Sequence, residues 1–171
     1  AWLLGGLVMG LVLGSIAHSV TGMLDSPEMR RYVELLGGAQ GLTDAFLAAE
    51  VGILGAVVSA FGIATVLRMS GEETAGRAEQ VLATAVSRLR WAAGYLLVAV
   101  LGVAAILLLT GAAMGLAHGL AIDDPAGQVG RLTAAAAGQI PAALVLTALT
   151  MPLFGLVPRW TAAGWVLLLA F

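Results

Sequence analysis

The residue types on which catalytic and metal sites depend are scarce in this sequence. Its 171 residues include no Cys and no Lys. Thiolate chemistry, disulfides and a Walker A phosphate loop, which needs a Lys, are therefore excluded. The sequence also has no His-Glu-x-x-His motif and no acidic cluster with metal-ligand spacing. We expect no metal site in the chain and no ATP bound to it through a Walker A loop.

Ser15 and His118 are one pair that could act as a nucleophile and its base, because both lie near the outer ends of predicted helices. Ser15 stands in the sequence Gly-Ser-Ile-Ala, which lacks the second Gly of a nucleophile elbow. Serine is also common where helices pack together in membranes. The sequence therefore favours a packing role for Ser15 and predicts no catalytic residue.

Glu50 is an acidic residue within an otherwise apolar stretch. It lies 18 residues before Arg68, about 27 Å along a helix. That distance places it near the outer edge of a hydrocarbon layer about 30 Å thick. An acid at this depth either reaches the membrane–water interface or faces a wet cavity. The interfacial interpretation is favoured, and a place in a substrate cavity is the open alternative.

The most highly charged segment, residues 68–91, has the pattern of a surface helix. Ser70 is a candidate N-cap, and Glu72 and Glu73 follow it, where acidic side chains favour the first turn. Glu73 and Arg77 are four residues apart, the spacing of a helical ion pair. An apolar face of this segment is formed by Val81, Leu82, Ala85, Val86 and Leu89. The pattern favours a docking surface over a solvated linker.

The composition requires the rest of the chain to span a membrane. Hydrophobic residues make up 60% of the sequence and charged residues 11%, against about 25% charged in soluble domains. A soluble domain of this size keeps roughly a third of its chain surface exposed and could not hide so much apolar surface. The charge-free runs predict an all-α polytopic transmembrane bundle of four complete helices and the start of a fifth. Their approximate bounds are residues 2–20, 45–67, 92–119, 133–156 and 160–171.

Arginines near the helix ends predict the orientation. Of the eight Arg, five lie in residues 68–91 and 158–160 and three in the other two loops, so the positive-inside rule places residues 68–91 in the cytoplasm. Residues 21–44 are then extracellular, and the Ser-Pro-Glu sequence within them predicts a short amphipathic helix at the membrane surface. The chain begins with Ala, and its last apolar run has twelve residues. We therefore expect it to be part of a longer membrane protein.

Two series of glycines have the four-residue spacing that lets helices approach closely in lipid. They are Gly6, Gly10 and Gly14 in the first predicted helix and Gly111, Gly115 and Gly119 in the third. Packing within one chain is favoured over ligand binding, and dimerisation is an open alternative.

The charged segment carries a longer pattern of charged, glycine and apolar positions. It reads Glu72-Glu73-x-x-Gly76-Arg77-x-Glu79-x-x-Leu82-Ala83-Thr84-x-Val86-Ser87-Arg88-x-x-Trp91. This pattern resembles the cytoplasmic loop of ABC-2-type permeases, most closely the actinobacterial polyketide-antibiotic exporters similar to tetronasin-resistance permeases. Weaker resemblance extends to Pro141-Ala142, to residues 154–159 and to Trp165. The sequence departs from the family pattern at Ala85, where Pro is expected. Without that Pro, the bend between the coupling helix and the next segment is expected to be softer.

The resemblance implies a function and a set of partners. In this family the loop couples the membrane domain to a separate ATPase, so Glu72, Glu73, Gly76, Arg77 and Glu79 would contact a cytoplasmic ATP-binding subunit, present as a homodimer. ATP and Mg²⁺ would bind to that partner, and this chain would carry no cofactor and no enzymatic activity. The resemblance thus implies a bacterial inner-membrane permease that exports drugs, antibiotics or other lipophilic compounds, without a nucleic-acid partner.

Two other functions are open alternatives. A secondary transporter driven by an ion gradient favours broken helices or buried ionisable residues at mid-membrane. Glu50 comes close to this description, whereas Pro141 is expected to lie too near a helix end to break the fourth helix in half. A non-transporting membrane scaffold or a membrane hydrolase would need no docking loop for an ATPase.

Overall fold

The computed structural model describes residues 1–22, 38–84 and 86–156, and within them the chain is helical and has no strands. The helices are α1 (Trp2–Gly22), α2 (Gly38–Thr74), α3 (Arg77–Leu82), α4 (Arg88–Ala121), α5 (Pro125–Gly138) and α6 (Ile140–Leu156). The predicted all-α fold is confirmed. The amphipathic helix predicted after residue 25, Ala85 and the fifth helix predicted from residue 160 lie outside the described residues.

Three stretches of the described helices are long and apolar enough to cross a membrane. They are Thr43–Thr74, Arg88–Ala121 and Pro125–Thr150, and α1 adds the shorter apolar helix Trp2–Ala17. Large apolar side chains cover the outside of these helices; Leu4, for example, is 70% exposed and Leu101 60%. Apolar surface on this scale would be a liability in water but is suited to lipid.

Helix α2 is longer than predicted at both ends. It begins at Gly38 and continues past Arg68 to Thr74. Ser70 lies inside it, where its carbonyl accepts a hydrogen bond from the Thr74 hydroxyl at 2.9 Å, so Ser70 is not the N-cap of a separate helix. The 37 residues of α2 span about 55 Å. Because this length exceeds the hydrocarbon layer, the helix also supplies part of the charged segment outside it.

The fourth predicted helix is in fact two helices, α5 and α6, which meet at Gln139. Pro141 has no N–H to donate to the carbonyl four residues earlier, so the regular hydrogen-bond ladder fails there. The Gln139 N–H instead bonds to the Ala136 carbonyl at 3.0 Å, a tighter turn. The helix also starts earlier than predicted, with Pro125 in its first turn. The interruption is a single residue, since Gln139 keeps α-helical dihedrals of φ −82° and ψ −16°, and Pro125–Thr150 remains one stretch long and apolar enough to cross a membrane.

The chain divides into two compact units, of which the first comprises Ala1–Leu54 and Ile106–Gln139. In this unit the two glycine series belong to different helix contacts: the first lies where α1 packs on α4, and the second where α4 packs on α5. A Cβ added at Gly6 would lie 2.6 Å from the Thr110 hydroxyl, and one at Gly10 would strike the Thr110 carbonyl. Gly111, on α4 itself, faces Ala136 of α5. A Cβ added at Gly111 would lie 2.7 Å from the Cβ of Ala136. The glycines thus serve close packing within the chain, as predicted.

The core of the first unit joins α1, α2, α4 and α5. Its buried members are Ala17, Leu47, Val51, Leu54, Met114, Leu132 and Ala136. An ion pair between Asp44 of α2 and Arg131 of α5 adds a polar contact between these two helices.

The second unit comprises Gly55–Ala105 and Ile140–Phe171. Within its described part the Phe61 ring of α2 packs directly on Gly102 of α4, and Thr147 of α6 packs on Gly62. Ile63 and Val66 of α2 are completely buried. This unit carries the charged segment that the sequence singles out.

Candidate functional site

The charged segment folds as a sharp turn followed by a short helix between α2 and α4. Gly76 has φ +70°, in the left-handed region where a residue with a Cβ is strained. The turn ends α2, and α3 begins at the next residue, Arg77. Gly76 therefore has a backbone role in this motif, because it allows the chain to change direction.

Arg77 is fixed to the end of α2 by two hydrogen bonds to one carboxylate. Its Nε donates to Glu72 Oε2 at 2.7 Å, and its Nη2 donates to Glu72 Oε1 at 2.9 Å. These bonds raise the pKa of the Arg77 guanidinium above its usual value. The paired, planar geometry holds the start of α3 in one orientation.

The helical pair of Glu73 with Arg77 predicted from their spacing is not formed. The i,i+4 rule applies within one continuous helix, and the turn at Gly76 separates the two residues. Glu73 instead faces Arg88, with 3.5 Å between Oε1 and Nη1. This second ion pair connects the end of α2 to the start of α4, across the segment that contains α3.

Glu79 differs from the other acidic residues of this segment. It is exposed in the first turn of α3, and no ion pair engages it within the described residues. Its neighbour Ala78 is 3% exposed and seats α3 against the protein. Sequence reasoning missed Ala78, although a single small residue within a charged run was a signal for such a contact.

Four of the five predicted coupling residues therefore build the segment, and Glu79 projects from it. We call residues 72–80 the coupling surface, after the role that the sequence predicts for them. Of the predicted apolar face, Leu89 is 82% exposed and Leu82 and Val86 are half-buried. The side chains of Val81 and Ala85 lie outside the described part.

Glu50 belongs to the first unit and is not part of the coupling surface. It is half-buried and lies beside the core residues Leu47, Val51 and Leu54 on α2. Residues three and four apart share a helix face, so Glu50 borders the buried stripe of this helix. Within the described residues no hydrogen bond or ion pair engages it.

Ser15 and His118 have the features of packing residues. The Ser15 hydroxyl donates to the Leu11 carbonyl of its own helix at 2.7 Å, a common way to satisfy a serine in a membrane helix. His118 is 5% exposed, inside the first unit.

Comparison with known proteins identifies the family. The family model described as "Multidrug efflux system permease Rv1217c, C-terminal domain" matches residues 1–171. The multidrug efflux system permease protein Rv1217c of Mycobacterium tuberculosis is 41% identical over 99% of this chain and 31% of its own length. The chain thus spans about a third of that curated relative. This match to a permease family agrees with the prediction of a transporter rather than an enzyme. It also agrees with the prediction of a multi-pass protein in the bacterial membrane. The chain belongs to the family of Rv1217c-type multidrug efflux permease C-terminal domains.

Proposed function

We propose that this chain forms part of the membrane-spanning permease of an ATP-driven ABC-2-type exporter. Its cargo would be drugs, antibiotics or other lipophilic compounds. The family name and the relative's name, both of a multidrug efflux system permease, support export. The pattern from Glu72 to Trp91, which resembles the loop of tetronasin-resistance-like permeases, supports the ABC-2 assignment.

The observation that carries the proposal is the way the coupling surface is fastened. The Arg77–Glu72 pair holds α3 on the end of α2, and the Arg88–Glu73 pair ties that same end to α4. Both α2 and α4 contain long apolar stretches able to cross a membrane. Exposed ion pairs contribute little energy by themselves, but α3 is also joined to both helices by short chain segments and packs through the buried Ala78. A displacement of α3 is therefore expected to move the ends of two transmembrane helices, as coupling to a motor requires.

The partner in this proposal is a cytoplasmic ATP-binding subunit, present as a homodimer, that binds ATP and Mg²⁺. It docks on residues 71–86, with Glu79 in contact with a basic side chain of the partner. Closure of the partner around ATP displaces α3 and tilts the attached transmembrane helices. The substrate path then opens to the other side of the membrane. The remainder of the permease completes that path.

Charge reversal at Glu79 tests the docking surface without disturbing its internal ion pairs. Glu79→Arg should leave membrane insertion normal and lower co-purification with the ATP-binding subunit by at least about tenfold, because loss of one member of a buried charged contact typically costs about 2–5 kcal/mol. Glu79→Gln should give a smaller loss. Transport per ATP hydrolysed should fall in parallel.

The matched control is Asp123→Asn, which removes one exposed negative charge after the other end of α4. Asn tolerates the positive φ of 59° at this position. This variant should assemble and transport like the unmodified protein. Normal assembly and transport in Glu79→Arg would contradict the docking proposal.

A secondary transporter is a second candidate, because the helical hydrogen bonding is interrupted at Gln139, between α5 and α6. Discontinuous helices are typical of transporters driven by ion gradients. Reconstitution of the purified permease with and without its ATP-binding subunit separates the two candidates. Export that requires ATP and persists without an ion gradient supports the ABC proposal; export driven by a gradient alone contradicts it.

A further inference from the structure

The second unit contains a cavity that the sequence did not predict. It has a volume of about 500 Å³ and lies between the second half of α2 and the first turns of α4. Two arginines and several aromatic or apolar side chains line it, among them Arg68, Arg90, Phe61, Trp91, Tyr95 and Val98. A cationic rim on an apolar lining suits a ligand with an anionic head and an apolar body.

Among the residues that the structure describes, the two arginines at this cavity have no acidic partner. The nearby carboxylates are already engaged, since Glu72 binds Arg77 and Glu73 faces Arg88. Within the described residues the guanidinium groups of Arg68 and Arg90 make neither an ion pair nor a hydrogen bond. Guanidinium groups bind phosphate oxygens through paired, charge-assisted hydrogen bonds. The positive charge at the cavity therefore favours an anionic ligand, and a phosphate group matches the hydrogen-bond donors of the two guanidinium groups.

The position of these arginines along the chain places the cavity at the membrane surface. Residues 51–67 and 91–122 contain no charged residue. Arg68 directly follows the first run, and Arg90 directly precedes the second. Both guanidinium groups thus lie where the two helices leave the hydrocarbon layer. Phospholipid phosphates lie at the same depth, so a lipid reaches this cavity without leaving the bilayer.

The apolar part of the lining continues along α4. Trp91 and Tyr95 form an edge-to-face pair with ring centroids 5.4 Å apart and planes at 70°, and such aromatic side chains favour the headgroup region. Val98 is 56% exposed, and Leu101, one turn further along α4, is 60% exposed. This continuous apolar face matches the start of an acyl chain that leaves the cavity toward the bilayer centre.

We propose that this cavity binds one anionic phospholipid of the adjoining leaflet. Its phosphate lies between Arg68 and Arg90, and its glycerol and first acyl carbons lie against Trp91 and Tyr95. Basic cavities between transmembrane helices are suited to anionic lipid headgroups. The lipid connects α2 to α4 on the same side as the coupling surface. The proposal does not depend on the transported cargo or on an ATP-binding partner.

Native mass spectrometry of the purified permease in detergent tests this site. The probes are phosphatidylglycerol and phosphatidylcholine with identical acyl chains. Phosphatidylglycerol should bind in preference, and Arg68→Gln with Arg90→Gln should weaken it about thirtyfold, or about fivefold for each arginine. Arg88→Gln is the matched control, since Arg88 is two residues from Arg90 and faces Glu73 instead of the cavity. It should bind lipid like the unmodified protein.

Gly94→Leu is a steric test that keeps both arginines. Gly94 lines the cavity, and a Cβ added there meets no heavy atom within 4 Å, so the fold accommodates a side chain that fills the space. This variant should lose the preferred phosphatidylglycerol and keep its thermal stability in lipid-free detergent. Inorganic phosphate should compete only weakly, because it lacks the apolar body.

Three results would each overturn the proposal. One is equal phosphatidylglycerol affinity in the double arginine variant and in Arg88→Gln. The second is equal affinity for the two lipids in the unmodified protein. The third is displacement of the bound lipid by inorganic phosphate at the concentration of the lipid itself, which would identify a plain phosphate site.

Discussion

At the scale of single residues, Gly76 sets the direction of the coupling surface. Its φ of +70° costs a residue with a Cβ about 1–2 kcal/mol, so Gly76→Ala should loosen the turn that positions Arg77 beside Glu72. We expect normal membrane insertion, a lower Tm of the purified permease and weaker assembly with the ATP-binding subunit. Thermal unfolding in detergent and co-purification measure the two effects.

Gly71 provides the control for this prediction. It lies inside α2, and a Cβ there meets no heavy atom within 4 Å. Gly71→Ala should therefore stabilise the helix by about 0.5–1 kcal/mol. Equal Tm changes in Gly71→Ala and Gly76→Ala would show that the left-handed turn does not matter for stability.

Glu50 leads to a prediction about cargo charge. Its half-buried position beside the core stripe of α2 is compatible with either an interfacial acid or a substrate-cavity residue. If it contacts cargo, Glu50→Gln should reduce export of cationic compounds by about tenfold, the usual scale for loss of a charged hydrogen bond. Neutral compounds, measured in the same vesicles, should be exported at the normal rate. Equal effects on both would leave Glu50 as an interfacial acid.

The ion pairs show how far residue-level reasoning from the sequence reaches. The spacing of Glu73 and Arg77 predicted an ion pair that is not formed, although both residues take part in other ion pairs of the same segment. The partners could not be predicted, because the pairing of Arg77 depends on the left-handed turn one residue before it. Arg88 is 15 residues from Glu73, and only the fold brings these two residues together.

At the scale of helices, the glycine spacing predicted close packing correctly because backbone contact depends only on the absence of a Cβ. Gly10→Leu should destabilise the first unit, since any side chain there meets the Thr110 carbonyl; overpacking of this kind costs about 1–3 kcal/mol or more. Gly5→Leu is the matched control, because Gly5 lies on the same helix with nothing within 4 Å. The measurement is the Tm of each variant in detergent.

An equal Tm for Gly10→Leu and Gly5→Leu would contradict close packing of α1 on α4.

The bounds of the helices, in contrast, could not be predicted from residue spacing. The hydrogen-bond ladder is interrupted at Gln139 because Pro141 has no N–H to donate. The helix starts earlier than predicted because the Asp124 side chain caps it and accepts a hydrogen bond from the Gly127 N–H at 3.1 Å.

At the scale of the whole molecule, the composition predicted a membrane protein, and the distribution of charges singled out residues 68–91. The long charge-free runs predicted apolar helices, and three of the described helical stretches are long and apolar enough to cross a membrane. The densest charged segment is the one for which the sequence predicts the coupling role. The cavity at Arg68 and Arg90 was not predictable, because its arginines lie 22 residues apart on two helices. It required the packing of α2 against α4, which Phe61 and Gly102 make possible.

The orientation of the molecule is the prediction on which the coupling proposal depends most, and the absence of Cys makes it directly testable. Gln80 in α3 and Ala126 in α5 are both exposed, so a single Cys at either position is accessible without a change in the core. The five-to-three distribution of arginines places Gln80 in the cytoplasm and Ala126 outside. In intact cells, a membrane-impermeant maleimide should label Ala126→Cys and leave Gln80→Cys unlabelled until the membrane is permeabilised. Labelling of Gln80→Cys from outside would reverse the topology and remove the coupling surface from the reach of any cytoplasmic ATPase.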